Sequence, residues 1–341
     1  MSKRRKKSGG KTRLRRLSLR SWIVLSVLVI GFASAANWFV HHPRKWLDAK
    51  YAAWPRFVTV PLFWAGNAVG DITDGVGFTG HDAVYEYDEP APAGAVLFAG
   101  APRRVGSPAP NDIRIINRGE FVVGWSPSLK HPVWCAYHVV RDAKYPSGIR
   151  PSFTKDRTVE SPAASAYEHS GYDRGHMVPN HAIESRYGAE EQEKTFMMSN
   201  IAPQSPFLNR GVWRNVEHRI ADLWTARYGE LWVVVGCISD HGGETISGTD
   251  IDVPHTFYQL IVAQEEMDVR AMAMTFGQDV SWREWAARNL ISIDDLEELS
   301  GLDFLPDLPE FIQNPLEAEL PSRLWPIRAQ DIFRQVLLQF N

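Results

Sequence analysis

An acid, a guanidinium and an imidazole fall within four positions at Asp173, Arg174 and His176, inside the stretch GYDRGHMVPN (171–180). If the stretch is extended, alternation puts Arg174 and His176 on one face and Asp173 on the other. A cation beside a titratable base suits hydrolysis of a phosphodiester. An imidazole, with a reference pKa of ~6.5, can take a proton from water near neutral pH. A guanidinium can hold two phosphate oxygens at once. Gly175 is expected to let a bulky substrate backbone approach, and Asp173 to face inward and tie down backbone or Arg groups. A surface Asp–Arg pair beside an exposed histidine accounts for these four residues about as well.

A second group lies in FLNRGVWRNVEHRIADLWTARYG (207–229). Leu208, Val212, Val216, Ile220 and Leu223 or Trp224 recur every three or four residues, which predicts an amphipathic helix ending at Gly229. Asn209, Trp213 and Glu217 are spaced four apart, on one side and away from that apolar stripe. An amide oxygen suits Mg²⁺, which keeps most of its waters and needs few protein oxygens. Glu217 would hold one of those waters through a hydrogen bond. The competing reading is a solvated helix face with Asn209 as a cap.

These groups must be positioned by the surrounding elements. EFVVGW and VWCAYHVV predict two antiparallel strands, and HTFYQLIVA and VRAMAMTF a further pair. LWVVVGCI is continuously apolar and so expected to be central. SWREWAARNL and SIDDLEELSGL predict two more helices, with Ser281 and Ser292 as candidate caps. The fold class is α+β: an antiparallel β-sheet core flanked by helices.

The 341 residues suffice for one large domain or two small ones, and 44% hydrophobic content with 13 Trp argues against widespread disorder. The net charge of -3 hides an asymmetry. Residues 1–20 hold ten of the 37 basic residues and none of the 40 acidic ones, leaving the remainder at -13. Residues 21–40 carry no charge, enough to cross a bilayer as a helix. Cations on the preceding side place the N-terminus in the cytoplasm and the rest outside it. A transmembrane anchor is the preferred reading; a signal peptide cleaved after Ala33-Ser34-Ala35 is its rival and also exports the body. Residues 41–95 read as a juxtamembrane connector and linker, 96–312 as the catalytic domain and 313–341 as a C-terminal extension that closes the core. The Pro/Ala-rich stretch 88–110 is expected to have little fixed structure. Cys135 and Cys237 sit in strand-like runs and are expected to be buried free thiols.

GYDRGHMVPN, FMMSNIAPQ and FLNRGVWRNVE resemble three consecutive motifs of the DNA/RNA non-specific endonucleases. That family includes secreted bacterial sugar-non-specific nucleases and mitochondrial endonuclease G, and has a ββα-metal active site. With VWCAYHVV and IDDLEELSGLDFLPDL the resemblance spans residues 112–310. It implies His176 as general base, Asn209 as the protein ligand to Mg²⁺ (or Mn²⁺), Arg174 near the phosphate and Glu217 in the metal site. It also implies Asn200 as site support, and Arg150 as the arginine that stabilises charge in the transition state. Asp173 and Arg210 join the substrate and site support.

Gln259 departs from the family, standing where many relatives have a lysine. The acidic body is unhelpful for nucleic acid unless Arg150, Arg174, Arg186, Arg210 and Arg214 form a basic cleft. The expected function is a metal-dependent endonuclease acting on DNA, RNA or both outside the cytoplasm. A catalytically idle nucleic-acid-binding module at the envelope is the alternative. The expected partners are nucleic acid and, through residues 21–40, the membrane; a homodimer stays open.

Overall fold

The computed structural model describes residues 85–86, 96–141, 143–145, 148–240, 242–265, 268–281 and 284–327, all within the compact unit Gly70–Asn341. The basic tail, the apolar stretch 21–40, most of the connector and the apolar run at 331–340 lie outside them. Among the described residues no helix is long and apolar enough to cross a membrane.

The core is an eight-stranded antiparallel sheet. Its strands are β1 (Tyr85–Glu86), β3 (Arg114–Asn117), β4 (Phe121–Ser126), β5 (His131–Val140), β8 (Glu230–Ile238), β9 (Thr256–Glu265), β10 (Asp268–Gly277) and β11 (Leu290–Ile291). They run in the order β1-β10-β9-β8-β5-β4-β3, with β11 beside β10. The two predicted hairpins form, and β8 takes the central place its unbroken apolar sequence anticipated.

Because side chains alternate across a pleated strand, the sheet has two apolar faces and each needs a cover. One presents Val123, Cys135, Tyr137, Val235, Phe257, Ile261 and Met274. After α1 (Asn180–Tyr187) and α2 (Ala189–Thr195), helix α3 (residues 206–228) covers it, burying Val212, Trp213, Val216, Ile220 and Trp224. The other presents Val122, Trp134, Ala136, Val234, Tyr258 and Leu260. It is covered by α4 (Ile293–Ser300) and α5 (Glu310–Ala318) through Leu296, Ile312 and Leu316. Each large side chain so buried stabilises the fold by roughly 1.5–3 kcal/mol. Ser292 caps α4 by accepting from the Asp295 amide at 3.1 Å, and Gly229 ends α3 with φ 92°.

Three expectations about local structure change. Residues 96–110 are packed, with Phe98, Ala99 and Ala109 buried on the second face. There β2 (Arg103–Arg104) pairs with β12 (Leu302–Asp303). Apolar Phe98 has a core to join, which a count of prolines does not register. Among the described residues of 281–290, where a helix is expected, there is a 3-10 turn at Ala286–Asn289 followed by β11, because pairing with β10 takes Leu290 and Ile291 into the sheet. Trp213, placed on the outward side of its helix, is fully buried edge-on against Phe257 and Phe276. Beyond residue 312, Leu316, Leu324 and Trp325 are buried, and Trp224 Nε1 donates to the Trp325 carbonyl at 3.0 Å.

Candidate active site

The DRGH residues form a strand of their own, β6 (Asp173–His176), antiparallel to β7 (Ile201–Gln204) and outside the main sheet. Helix α3 follows β7 after one residue, Ser205. The chain is thereby folded β-β-α around the side chains of interest. Ser205 is pinned at this corner: its amide donates to Gln278 Oε1 at 2.7 Å and its hydroxyl to the Gln278 carbonyl at 2.6 Å. The helix kinks two residues after Asn209, where Gly211 leaves the helical path at φ -103°, ψ -117°.

His176 is half-buried, its ring tilted 5.3 Å from Phe153 and edge-on 4.8 Å from Phe196. Nε2 is shut from solvent and has no hydrogen-bond partner among the described residues. Burial, aided by the nearby Arg150 guanidinium, pushes the imidazole pKa down to about 3, so it stays neutral in ordinary buffers. The two arginines stand over the same aromatic pair. Arg150, exposed, lies 5.2 Å over Phe196, and Arg174 lies 4.8 Å over Phe153. Aromatic faces hold guanidinium groups without neutralising them, so both keep their charge for an anion.

The loop bearing Arg150 and Phe153 is held by backbone bonds from Thr154 N to the Phe196 carbonyl (3.0 Å) and from Met198 N to the Thr154 carbonyl (2.9 Å). Beyond it, buried Asp156 bonds Arg118 and accepts from Ser199 Oγ at 2.5 Å. Burial works against its charge, but Ser199, Thr158 and Arg118 prevail and lower its pKa. Asn200 is fully buried, with Nδ2 donating to the carbonyls of Val178 (3.0 Å) and Thr195 (2.9 Å) and Oδ1 accepting from Val178 N (2.9 Å). It clamps the chain just after His176 and is spent on that bonding.

Asp173 links strand to helix. It accepts from Asn209 Nδ2 at 2.9 Å and from Arg210 at 2.7 and 2.5 Å. Partial burial opposes its charge, but Arg210 and Asn209 outweigh this and lower its pKa. With Nδ2 committed, Asn209 Oδ1 accepts no hydrogen bond among the described residues and is available to a cation. His176 follows Asp173 by three residues, about 10 Å of strand, so base and amide are tied to one rigid corner. Glu217 is half-buried and its pKa is pushed up to about 8 by burial, with Trp213 and Arg214 opposing. A carboxylate held this high is short of positive charge, which a bound cation would supply.

Two further expectations are corrected here. Gly175 does not make room for a substrate: a Cβ there would come within 2.1 Å of Gln204 Oε1, so the glycine accommodates a buried neighbour whose amide atoms have no partners among the described residues. Arg186 does not belong to a basic cleft. It is buried, donating to the carbonyls of Val140 and Ala221 and to Ser185 Oγ. Arg150, Arg210 and Arg214 remain exposed and Arg174 half-buried. Gln259 is buried in β9, its amide without partners among the described residues, on the sheet face that α3 covers. Phe153, Phe196, Asp156 and Gln204 escape a reading based on charge and spacing. Phe196 and Gln204 stand inside the quoted FMMSNIAPQ motif, where attention falls on the asparagine.

Fold and site together define an enzyme of the phosphodiester-hydrolysing class: a β-β-α corner presenting a neutral imidazole, two cations and a free amide oxygen. Residues 99–311 match the profile of the DNA/RNA non-specific endonuclease, and the chain belongs to that family, which starts earlier in the chain than residue 112. It is similar to a nuclease of Nostoc sp., 26% identical, covering 62% of this chain and 80% of that one. Mitochondrial endonuclease G of Bos taurus is 26% identical, with coverages of 62% and 79%. Mitochondrial nuclease EXOG of Xenopus laevis is 28% identical, and the matched part is 54% of this chain and about half, 56%, of that protein. Among solved structures, the EndoG/EndoGI complex shares the fold with a TM-score of 0.53 at 22% identity, over 61% of this chain and 91% of that one.

Proposed function

We propose that the chain is a Mg²⁺-dependent endonuclease that cuts DNA, RNA or both with little base selectivity, outside the cytoplasm. One observation carries the reading: the neutral His176 ring, flanked by Arg150 and Arg174, sits on the strand that Asp173 joins to Asn209.

Nε2 of His176 is enclosed, so Nδ1 is the nitrogen assigned to take the proton from the attacking water. That requires the neutral tautomer with its proton on Nε2. A phosphate arriving beside the imidazole adds negative charge and raises its proton affinity at the moment it is needed. Arg174 and Arg150 hold the non-bridging oxygens, whose charge grows towards the transition state. Asp173 orients the amide of Asn209 and keeps Arg210 at the edge of the site.

The donors fit a hard divalent ion: Asn209 Oδ1 would hold it directly and Glu217 through its waters. Such an ion, when bound, neutralises charge on the departing 3′-oxygen. The products carry a 5′-phosphate. Ten cations before an uncharged stretch of 20 residues support placement of the enzyme beyond the cytoplasmic membrane.

The test is incubation of the purified chain with plasmid DNA and total RNA, in Mg²⁺ or in EDTA, beside His176→Ala. Metal-dependent cleavage lost in the variant is expected. Tight binding of both polymers with no cleavage would establish the idle module instead. Sedimentation with membranes after a high-salt wash is the expected result for the location; a shortened soluble chain beginning near Ala36 would mean cleavage.

A further inference from the structure

Three aromatic residues among the described residues are exposed, Tyr145, Phe207 and Phe311. Only Phe207 lies within two residues of a proposed site residue. The residue is 61% exposed, while the next residue, Leu208, is fully buried and anchors the turn. The corner beneath it is rigid. Ser205 is bonded twice to Gln278, and Gln278 Nε2 donates in turn to the Pro203 carbonyl at 2.8 Å. Ser205 Oγ also caps the turn by accepting from Leu208 N.

Leu208 and Asn209 have helical backbone angles, so Phe207 and Arg210, three positions apart, share one side of the helix. Arg210 is itself exposed, and its guanidinium is fixed in two hydrogen bonds to Asp173. An open aromatic face and a guanidinium paired with Asp173 thus stand together beside Asn209, with Arg210 Nη1 left over from that pair among the described residues. A flat apolar ring next to a donor for a phosphate oxygen matches the repeat of a nucleic acid strand, base beside phosphate.

We propose that Phe207 is the platform on which this protein stacks an unpaired nucleobase next to the scissile phosphate, giving it a preference for single-stranded or frayed nucleic acid. The inference rests on the nuclease reading and sharpens its substrate class. In a duplex the base faces are already stacked, and exposing one costs a few kcal/mol, so the ring gains little there. In a single strand every base has a free face, and the contact is indifferent to sequence.

The experiment compares the full chain with Phe207→Ala and Phe207→Trp in Mg²⁺, on a single-stranded oligothymidylate and on a blunt duplex. Phe207→Ala should raise KM for the single strand by about 10-fold, leave kcat within about 2-fold and leave the duplex constants within about 2-fold. Phe207→Trp should restore KM. Equal losses on both substrates, or no loss on either, overturn the platform. Binding of labelled oligothymidylate in EDTA, read by fluorescence anisotropy, separates the two readings. If the unaltered chain cleaves nothing, affinity about 10-fold weaker in Phe207→Ala keeps the platform while the nuclease reading fails. Unchanged affinity overturns the platform whatever the turnover.

Discussion

His131 is fully buried and His176 half-buried within the same unit, and their proton affinities move in opposite directions. His131 is fully buried at the start of β5. Its Nδ1 meets the Pro132 carbonyl at 2.9 Å and Cys237 Sγ at 3.4 Å, and Nε2 meets Ser239 Oγ at 3.2 Å and Asp252 Oδ2 at 3.4 Å. Burial alone would lower its pKa, but Cys237 and Asp252 raise it to about 10. His176 has aromatic rings and an arginine where His131 has acceptors, and its pKa falls to about 3. Desolvation acts on both; the partners decide the sign. A histidine bonded at both nitrogens holds strands together, whereas one with a nitrogen to spare can move a proton.

The largest expected effect tests this contrast directly. His176→Ala should lower kcat by roughly 10²–10⁴-fold while the urea midpoint stays close to that of the unaltered chain. A variant of normal activity would remove the proposed base. His131→Ala should do the reverse. It leaves Asp252 without its cationic partner and a void beside Cys237, so stability should drop by about 3 kcal/mol in urea unfolding. Activity per folded molecule should be kept. If His131→Ala abolished turnover in a fully folded protein, the division between the two histidines would fail.

Asp173→Asn should have an intermediate effect. Asn209 and Arg210 lose the carboxylate that orients them, and activity should fall by about 10–100-fold with a weaker response to added Mg²⁺. An unchanged magnesium titration would argue against the strand-to-helix link. A further effect is on the pH dependence of stability. With a raised folded pKa, His131 contributes its full stabilisation below about pH 6.5, and this is lost as pH rises towards about 10. With a lowered folded pKa, His176 costs nothing above about pH 6.5 and destabilises as pH falls towards about 3. Replacing His131 should therefore flatten the alkaline limb of the stability curve, and replacing His176 the acid limb.

Much of this was legible in the residues. The hairpins β4–β5 and β9–β10, central β8 and the helix closing at Gly229 follow from alternation, unbroken apolar runs and 3.6-residue spacing, which are local properties of the chain. Asp173, Arg174, His176 and Asn209 were singled out by type and spacing. The face of Trp213 was misjudged because a helix of this kind buries more than one narrow stripe, and a tryptophan four residues after a polar one gives no sign of which neighbour it will meet. Phe153 and Phe196 look like any other core aromatics until the loop at 150–156 is laid against the strand that carries His176. The role assumed for Gly175 was wrong because its close neighbour, Gln204, lies 29 residues away.

The amino-acid order by itself determined the antiparallel sheet, the helices that cover it and the kinds of side chain gathered at the site, since these depend on periodicity and chemistry within short windows. Only the tertiary structure decided which histidine is saturated and which is left open, that Arg186 is spent inside the core and that the ring of Phe207 stands clear of it. Each of those outcomes depends on groups distant in sequence brought within a few ångströms, and burial and partnership exist only once the chain has folded.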